Sequence, residues 1–281
     1  MVIIDFHTHI DESENANTNG IPVKMGRTEI LRYMEEAGID YSVLLVMAKK
    51  KGIQATRMQN EWLSEICKEN KLFIGFGSVH PDEEKEALIE MERCVNDLGL
   101  KGLKLHPNTQ QFDCGHPYLI EIMKKAAELD IPIILDSYSP FDDNQPSKIF
   151  KMVLSSSETK LCLAHVGWWK YMDFAIYGDF QSRSAIKLNV YFDLTAILPI
   201  LINTPFQDQF LWICEQLGRD NLLFGSDYPF FIKGQAGPEL CTPKQSLDIC
   251  RNFGFQDEWM PYIIGENARK LLKLRPTAYS E

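Results

Sequence analysis

Three features are absent from the sequence or scarce in it, and each absence excludes a class of protein. Its seven cysteines are scattered without a CxxC pair, which argues against a disulfide framework and favours a reducing, cytoplasmic setting. No window offers about 18 uncharged apolar residues, and the first residues lack the pattern of a signal peptide, so we expect no membrane span. The 29 basic residues are outnumbered by 39 acidic ones, which disfavours nucleic-acid and membrane-surface partners.

What is present is the composition of an ordinary globular protein. The chain has 281 residues, of which 45% are hydrophobic and 24% charged, enough to build a large core. No Gly/Ser-rich linker, fixed-period repeat or low-complexity segment divides it. We therefore predict one domain over residues 1–281.

Short apolar runs rich in β-branched residues alternate with amphipathic stretches, which is typical of strands and helices around a parallel sheet. The eight predicted strands are Val2–His9, Tyr41–Met47, Leu72–Val79, Leu100–His106, Ile131–Tyr138, Lys160–Val166, Val190–Ala196 and Asn221–Tyr228. The clearest predicted helices are Arg27–Ala37, Asn60–Glu69, Glu83–Leu98, Tyr118–Leu129 and Phe206–Leu217. Eight such units predict an α/β fold, a distorted (β/α)8 TIM-like barrel, with the active site at the carboxyl ends of the strands.

The first predicted strand ends with two histidines separated by one residue. Side chains at i and i+2 of a strand point to the same side, so His7 and His9 are expected to project together into the barrel mouth. Two imidazoles in that arrangement can bind one metal ion. They could equally form hydrogen bonds within the core, and the pattern alone does not decide between the two.

Two further strands end in an ionisable residue directly after an apolar run. His165 follows the sixth strand and Asp227 follows the eighth. A polar group at such a position is costly without a partner. Taken with the two histidines of the first strand, these residues favour a metal-centred site.

Five motifs in this order carry a family resemblance: Ile4–His9, Gly102–Pro107, Leu163–Gly167, Leu223–Pro229 and Gly265–Arg269. Together they resemble the metal-dependent amidohydrolase superfamily, and more narrowly the branch that includes aminocarboxymuconate-semialdehyde decarboxylase. The resemblance covers nearly the whole chain.

The resemblance implies a barrel that holds one or two divalent metal ions, and for this chain we expect one ion, Zn²⁺. It implies that His7 and His9 are metal ligands and that Asp227 is the carboxylate that contacts the metal or its water and helps move a proton. His165 would polarise the substrate or relay protons, so Asp227 and His165 are the expected catalytic residues.

One position departs from the family pattern. The fifth strand of the family usually ends in a histidine ligand, whereas this chain has Asp136 there. Asp136 could bind the metal through a carboxylate oxygen, it could orient a ligand without touching the metal, or the site could have lost tight metal binding. We expect the first outcome, so Asp136 joins the expected metal ligands.

Aromatic and basic residues near the strand ends suggest how a substrate is held. His106, Tyr138, Trp168 and Tyr228 follow strand ends and are candidates for the substrate pocket. They favour a small ring-bearing or apolar molecule as the partner. Arg57 and Lys170 are the clearest candidates to bind a substrate acid group.

The main functional expectation is a metal-dependent hydrolase of an ester, lactone or amide, in which metal-activated water attacks a carbonyl group. The alternatives are a non-oxidative decarboxylase or hydratase of the same superfamily, or a non-catalytic binding barrel. A homodimer is compatible with the resemblance, because related barrels often pair.

Overall fold

Eight parallel strands follow one another around one sheet in chain order. The computed structural model describes residues 1–18, 20–50 and 52–275. The strands of this part of the chain are β1 Ile4–His9, β2 Asn15–Thr18, β3 Ile21–Lys24, β4 Tyr41–Leu45, β5 Phe73–Gly77, β6 Gly102–Leu105, β7 Ile133–Asp136, β8 Leu161–Ala164, β9 Val190–Asp193, β10 Leu222–Leu223, β11 Phe230–Lys233 and β12 Pro238–Cys241. The eight-stranded sheet has the order β1-β4-β5-β6-β7-β8-β9-β10, which confirms the (β/α)8 prediction.

Backbone hydrogen bonds join β1 to the segment that follows β10, which closes the barrel. Phe6 N donates to Phe224 O over 3.0 Å, and Asp227 N donates to His7 O over 2.8 Å. The second bond places the segment after β10 directly beside the two histidines of β1. Barrel closure therefore brings together residues from the two ends of the barrel sequence.

The helices lie between the strands along the chain, as the sequence predicts. They are α1 Arg27–Ala37, α2 Ile53–Glu69, α3 Lys85–Asn96, α4 Pro107–Gln110, α5 Pro117–Glu128, α6 Gln145–Ser155, α7 Ala175–Arg183, α8 Ile197–Leu201, α9 Gln207–Leu217, α10 Pro243–Asn252 and α11 Asn267–Leu271. α1 has the predicted bounds and ends at Gly38, whose φ of 68° is the left-handed conformation that glycine adopts at helix ends. In the part of the chain that the structure describes, no helix is both long enough and apolar enough to span a membrane.

Two short hairpins were not predicted from the sequence. β2 pairs with β3 and β11 pairs with β12, both antiparallel. β2 has the sequence Asn-Ala-Asn-Thr and lies at the surface, so it shows none of the apolar runs used to find strands. Both hairpins follow carboxyl ends of barrel strands and help to wall the barrel mouth.

Apolar side chains fill the barrel below the site. Phe6 and Phe76 are fully buried there and pack edge to face, with ring centroids 5.6 Å apart. Val2, Ile4 and Leu271 belong to the same cluster. A cluster that joins β1 to α11 leaves the carboxyl ends of the strands as the open end of the barrel.

Candidate metal centre

His7 is held in one orientation by a carboxylate on a neighbouring part of the barrel. Its Nδ1 lies 2.8 Å from Oδ2 of Asp193, and both side chains are fully buried. Because a carboxylate accepts hydrogen bonds, Nδ1 carries the proton and Nε2 keeps its lone pair. Burial lowers the pKa of His7 to about 4, and the ammonium group of Lys104 acts in the same direction. His7 is therefore neutral, which is the state in which imidazole binds a metal.

Asp227 faces both histidines of β1. Its Oδ1 lies 3.4 Å from His7 Nε2 and 3.3 Å from His9 Nε2. Gly225 permits the close approach of the two segments, because a Cβ there would lie 2.8 Å from the Cβ of His7. Burial raises the pKa of Asp227, but His165 and the two other histidines outweigh it and hold that pKa well below its usual range. Asp227 is therefore ionised.

His165, directly after β8, is the third side chain that meets His7 and Asp227. Its Nδ1 lies 3.1 Å from the carbonyl oxygen of Thr195, and its Nε2 lies 3.3 Å from Oδ2 of Asp136. Burial lowers the pKa of His165, but Asp227 and Asp136 outweigh it and raise the pKa to about 9. Donor atoms of His7, His165 and Asp227 all lie within 4.8 Å of one another.

The backbone that carries His165 is in an uncommon conformation. Four consecutive residues have positive φ: His165 at 60°, Val166 at 46°, Gly167 at 74° and Trp168 at 52°. Only glycine adopts this region readily, and other residues cost about 1–3 kcal/mol each there. The turn aims His165 and Trp168 at the barrel mouth, and the strain is concentrated where the candidate site lies.

Asp136 lies beside two histidines. Its Oδ2 is 3.3 Å from His165 Nε2 and 3.7 Å from His106 Nε2. Burial raises the pKa of Asp136, but His106 and His165 outweigh it and hold that pKa well below its usual range. Asp136 does not belong to the group of His7, His165 and Asp227, whose possible metal-binding atoms all lie within 4.8 Å of one another.

His9 lies next to that group through its contact with Asp227. Its Nδ1 is buried and has no hydrogen-bond partner among residues 1–18, 20–50 and 52–275. Imidazole nitrogens and carboxylate oxygens are among the ligands that bind divalent metals in proteins. The residues present therefore fit one divalent ion.

Two residues of the site were not assigned to it from the sequence. Asp193 ends β9, directly after the apolar run Val190–Phe192, so the signal that identified His165 and Asp227 was present there too. Lys104 lies in β6 and is fully buried, and its Nζ lies 3.1 Å from His7 Nε2.

The candidate site opens into a cavity of about 420 Å³ at the barrel mouth. Its walls are formed by His9, Ile10, Asp11, Thr18, Met25, Leu45, Val46, Met47, Lys49, Gln59, Lys104, His106, Thr109, Asp136, His165, Asp227, Pro229, Phe230 and Phe231. This volume suits a small molecule. Of the four residues proposed for the pocket from the sequence, His106 lines this cavity.

The three aromatic candidates occupy different places. The Trp168 ring lies 5.7 Å from the His165 ring and stacks on Tyr138 at 6.4 Å, so both rings lie near the site. Tyr228 is 1% exposed and packs on Tyr33. The Tyr228 hydroxyl donates to the carbonyl oxygen of Lys24, so this side chain is directed away from the cavity.

The two basic residues expected to bind a substrate acid group are engaged elsewhere. Arg57 pairs with Glu86 at 3.0 Å and with Glu90 at 3.4 Å. Lys170 pairs with Asp143 at 3.0 Å. The cations that line the cavity are instead Lys49 and Lys104.

The chain is similar in sequence to a known protein family and to characterised enzymes. A sequence profile of the amidohydrolase family matches residues 4–274. Gamma-resorcylate decarboxylase of Rhizobium radiobacter is 27% identical over 135 residues, which cover 43% of this chain and 41% of the relative. The match to that curated relative thus spans less than half of its length.

A second relative is matched over more of the chain. The 2-amino-3-carboxymuconate-6-semialdehyde decarboxylase of Dictyostelium discoideum is 23% identical over 247 residues, which cover 78% of this chain and 67% of the relative. Among solved structures, dihydroxybenzoic acid decarboxylase from Polaromonas sp. JS666, with bound manganese and the inhibitor 2-nitroresorcinol, aligns with a TM-score of 0.72. It is 16% identical and covers 99% of both chains, which shows a shared fold.

Proposed function

Because the chain belongs to the amidohydrolase family, whose members are metal-dependent, we propose that it is a lyase that removes a carboxyl group as CO₂ from a small ring-bearing acid. Two curated relatives of the chain are named as decarboxylases. This is the alternative considered from the sequence, and it has more support than the hydrolase that was the main expectation. No observation specifically favours ester, lactone or amide hydrolysis.

The observation that carries the proposal is the position of His165 in the wall of the cavity, where its Nε2 lies 3.3 Å from Oδ2 of Asp136. Loss of CO₂ from a ring requires an acid that protonates the ring carbon bearing the carboxylate. Asp227 and Asp136 outweigh burial and raise the pKa of His165 to about 9, which favours the protonated form that this step needs.

The proton and electron balance of the proposed step is simple. His165 donates its Nε2 proton to the ring carbon, the bond to the carboxylate breaks, and its electron pair returns to the ring as CO₂ leaves. Water then reprotonates the imidazole, so that one proton is consumed in each turnover. Asp136 keeps the ring of His165 in place and stabilises its charged form.

The metal would be held by His7, His9 and Asp227. When bound, a divalent ion supplies positive charge that attracts the oxygen atoms of the substrate. Imidazole ligands suit Zn²⁺ and carboxylate ligands suit Mn²⁺, so Mn²⁺ is a candidate besides the expected Zn²⁺. The contacts of Asp136 with His165 and His106 support an orienting role for it in place of the expected metal ligation.

To test this, the protein is loaded with Mn²⁺ or with Zn²⁺. It is then incubated with gamma-resorcylate and related ring acids that carry ¹³C in the carboxyl group. We expect release of labelled CO₂, measured by mass spectrometry, and its loss in His165→Gln. A parallel panel of esters, lactones and amides tests the hydrolase. Cleavage of any of these without CO₂ release from any acid would replace the lyase proposal.

A further inference from the structure

A second cavity of about 500 Å³ lies at the barrel mouth next to the candidate site. One face of α2, the loop after β1 and the loop after β4 form its walls. The lining residues are Ile10, Asp11, Glu12, Ser13, Met47, Lys49, Ala55, Thr56, Met58, Gln59 and Trp62. We call this cavity the outer groove.

The outer groove adjoins the cavity of the candidate site. The residues that line both are Ile10, Asp11, Met47, Lys49 and Gln59. Because five residues line both cavities, a substrate bound beside His165 would have the groove directly next to it. The metal and His165 require only the reacting end of a substrate, so the groove is available to the rest of it.

We propose that the substrate carries an uncharged apolar substituent that lies in the outer groove, away from the carboxylate that is lost. This inference rests on the proposed lyase function and specifies its substrate class as ring acids with an apolar tail. Met47, Met58 and Trp62 would then determine specificity by contacting that tail.

The side chains of the groove suit an apolar tail. Met58 is 69% exposed on α2, so its side chain is free to cover a ligand, and Trp62 lies one turn further along the same helix. Methionine side chains adapt to irregular apolar surfaces and make favourable contacts with aromatic rings. Burial of such a tail against them removes apolar surface from water.

The charges of the groove disfavour an acidic tail. Asp11 and Glu12 contribute two carboxylates, and Lys49 contributes one ammonium group. Asp11 Oδ1 already accepts hydrogen bonds from the backbone and the hydroxyl of Ser13. A tail that ends in a carboxylate would meet a net negative surface, whereas an uncharged tail of the same length would not.

The experiment measures binding of three ring compounds that lack the reacting carboxylate, by calorimetry on the metal-loaded protein. They are resorcinol, 4-butylresorcinol and 4-(3-carboxypropyl)resorcinol. We expect the butyl compound to bind at least about tenfold more tightly than resorcinol, since each buried methylene strengthens binding several-fold. The carboxypropyl compound should lose most of that gain.

Two variants locate the effect. Met58→Glu adds a charge to the groove at an exposed helix position and should reduce the gain from the butyl tail at least about fivefold while leaving resorcinol binding unchanged. Ile89→Glu, at a position on α3 that is 51% exposed and outside both cavities, is the matched control and should change neither. Met58→Leu should retain the gain.

The outcomes separate this inference from the function on which it rests. Equal binding of resorcinol and 4-butylresorcinol, or an equal loss of both in Met58→Glu, would overturn the groove proposal even if CO₂ is released from untailed acids. A tail effect that depends on Met58, without CO₂ release from any tailed or untailed acid, would overturn the lyase and leave the groove as a ligand site.

Discussion

The carboxylate of Asp193 accepts a hydrogen bond from His7 Nδ1 and also from the backbone N–H of His165, through its two different oxygens. One side chain thus fixes two histidines of the candidate site. The contact with Asp193 directs the His7 ring towards Asp227, and the bond to the backbone N–H holds the main chain at His165 in place.

Replacing this carboxylate should loosen metal binding. In Asp193→Asn the amide can turn its NH₂ group towards His7, which no longer specifies the Nε2 lone pair. We expect metal affinity to fall about 10–100-fold, as is typical when the partner of a metal-binding histidine is lost. Competition with a chelator of known affinity measures it, and Asp248→Asn at the surface is the control. Unchanged affinity would remove Asp193 from the metal site.

Turnover should depend on pH through His165. The acid form of His165 is present below its pKa of about 9, so CO₂ release is expected to fall as the pH rises through about 9. In Asp136→Asn one of the carboxylates that raise this pKa is lost, and the fall should move to lower pH. A profile of kcat against pH for both proteins checks this, and identical profiles would contradict a role for the pair.

The two roles considered for Asp136 predict different metal contents. If Asp136 orients His165, Asp136→Asn should reduce kcat by about 10²–10⁴-fold while stoichiometric metal is retained. If it is a ligand, Asp136→His should retain metal more strongly than the unmodified protein. Elemental analysis after dialysis distinguishes the two roles. We expect Asp136→His to retain no more metal than the unmodified protein.

A stability prediction concerns α10 and leaves the site untouched. The Thr242 hydroxyl oxygen caps this helix by accepting from Gln245 N at 3.3 Å, and Thr242 N donates to Gln245 Oε1 at 2.8 Å. Thr242→Ala should lower the free energy of unfolding by about 0.5–2 kcal/mol. Thr242→Ser should restore it. Denaturant titration measures both, and equal stability of the alanine and serine variants would rule out the cap.

The sequence predicted the barrel well because its strands are apolar runs that leave little choice of partner. The prediction is less accurate at the strand ends, where contacts of individual side chains, and not the pattern of apolar residues, decide the backbone conformation. The eighth strand was predicted over Asn221–Tyr228 but extends only over Leu222–Leu223. Asp227 has a φ of 56°, so the chain leaves the extended conformation where it turns this carboxylate towards β1.

Side-chain direction explains the other differences. Tyr228 directly follows a site residue, but its hydroxyl reaches Lys24 and its ring packs on Tyr33. Asp193 stands at a strand end like Asp227, but nothing in the sequence shows that it would face two histidines. The single domain over residues 1–281, the homodimer and the cytoplasmic location stay predictions.

The closure of the barrel has a consequence for how the enzyme is made. His7 emerges from the ribosome well before Asp227, because the two residues lie far apart in the sequence. The hydrogen bond between their backbones and the contact of their side chains cannot form before Asp227 has emerged. A nascent chain therefore acquires its metal-binding geometry late, and long-range closure of this kind slows folding.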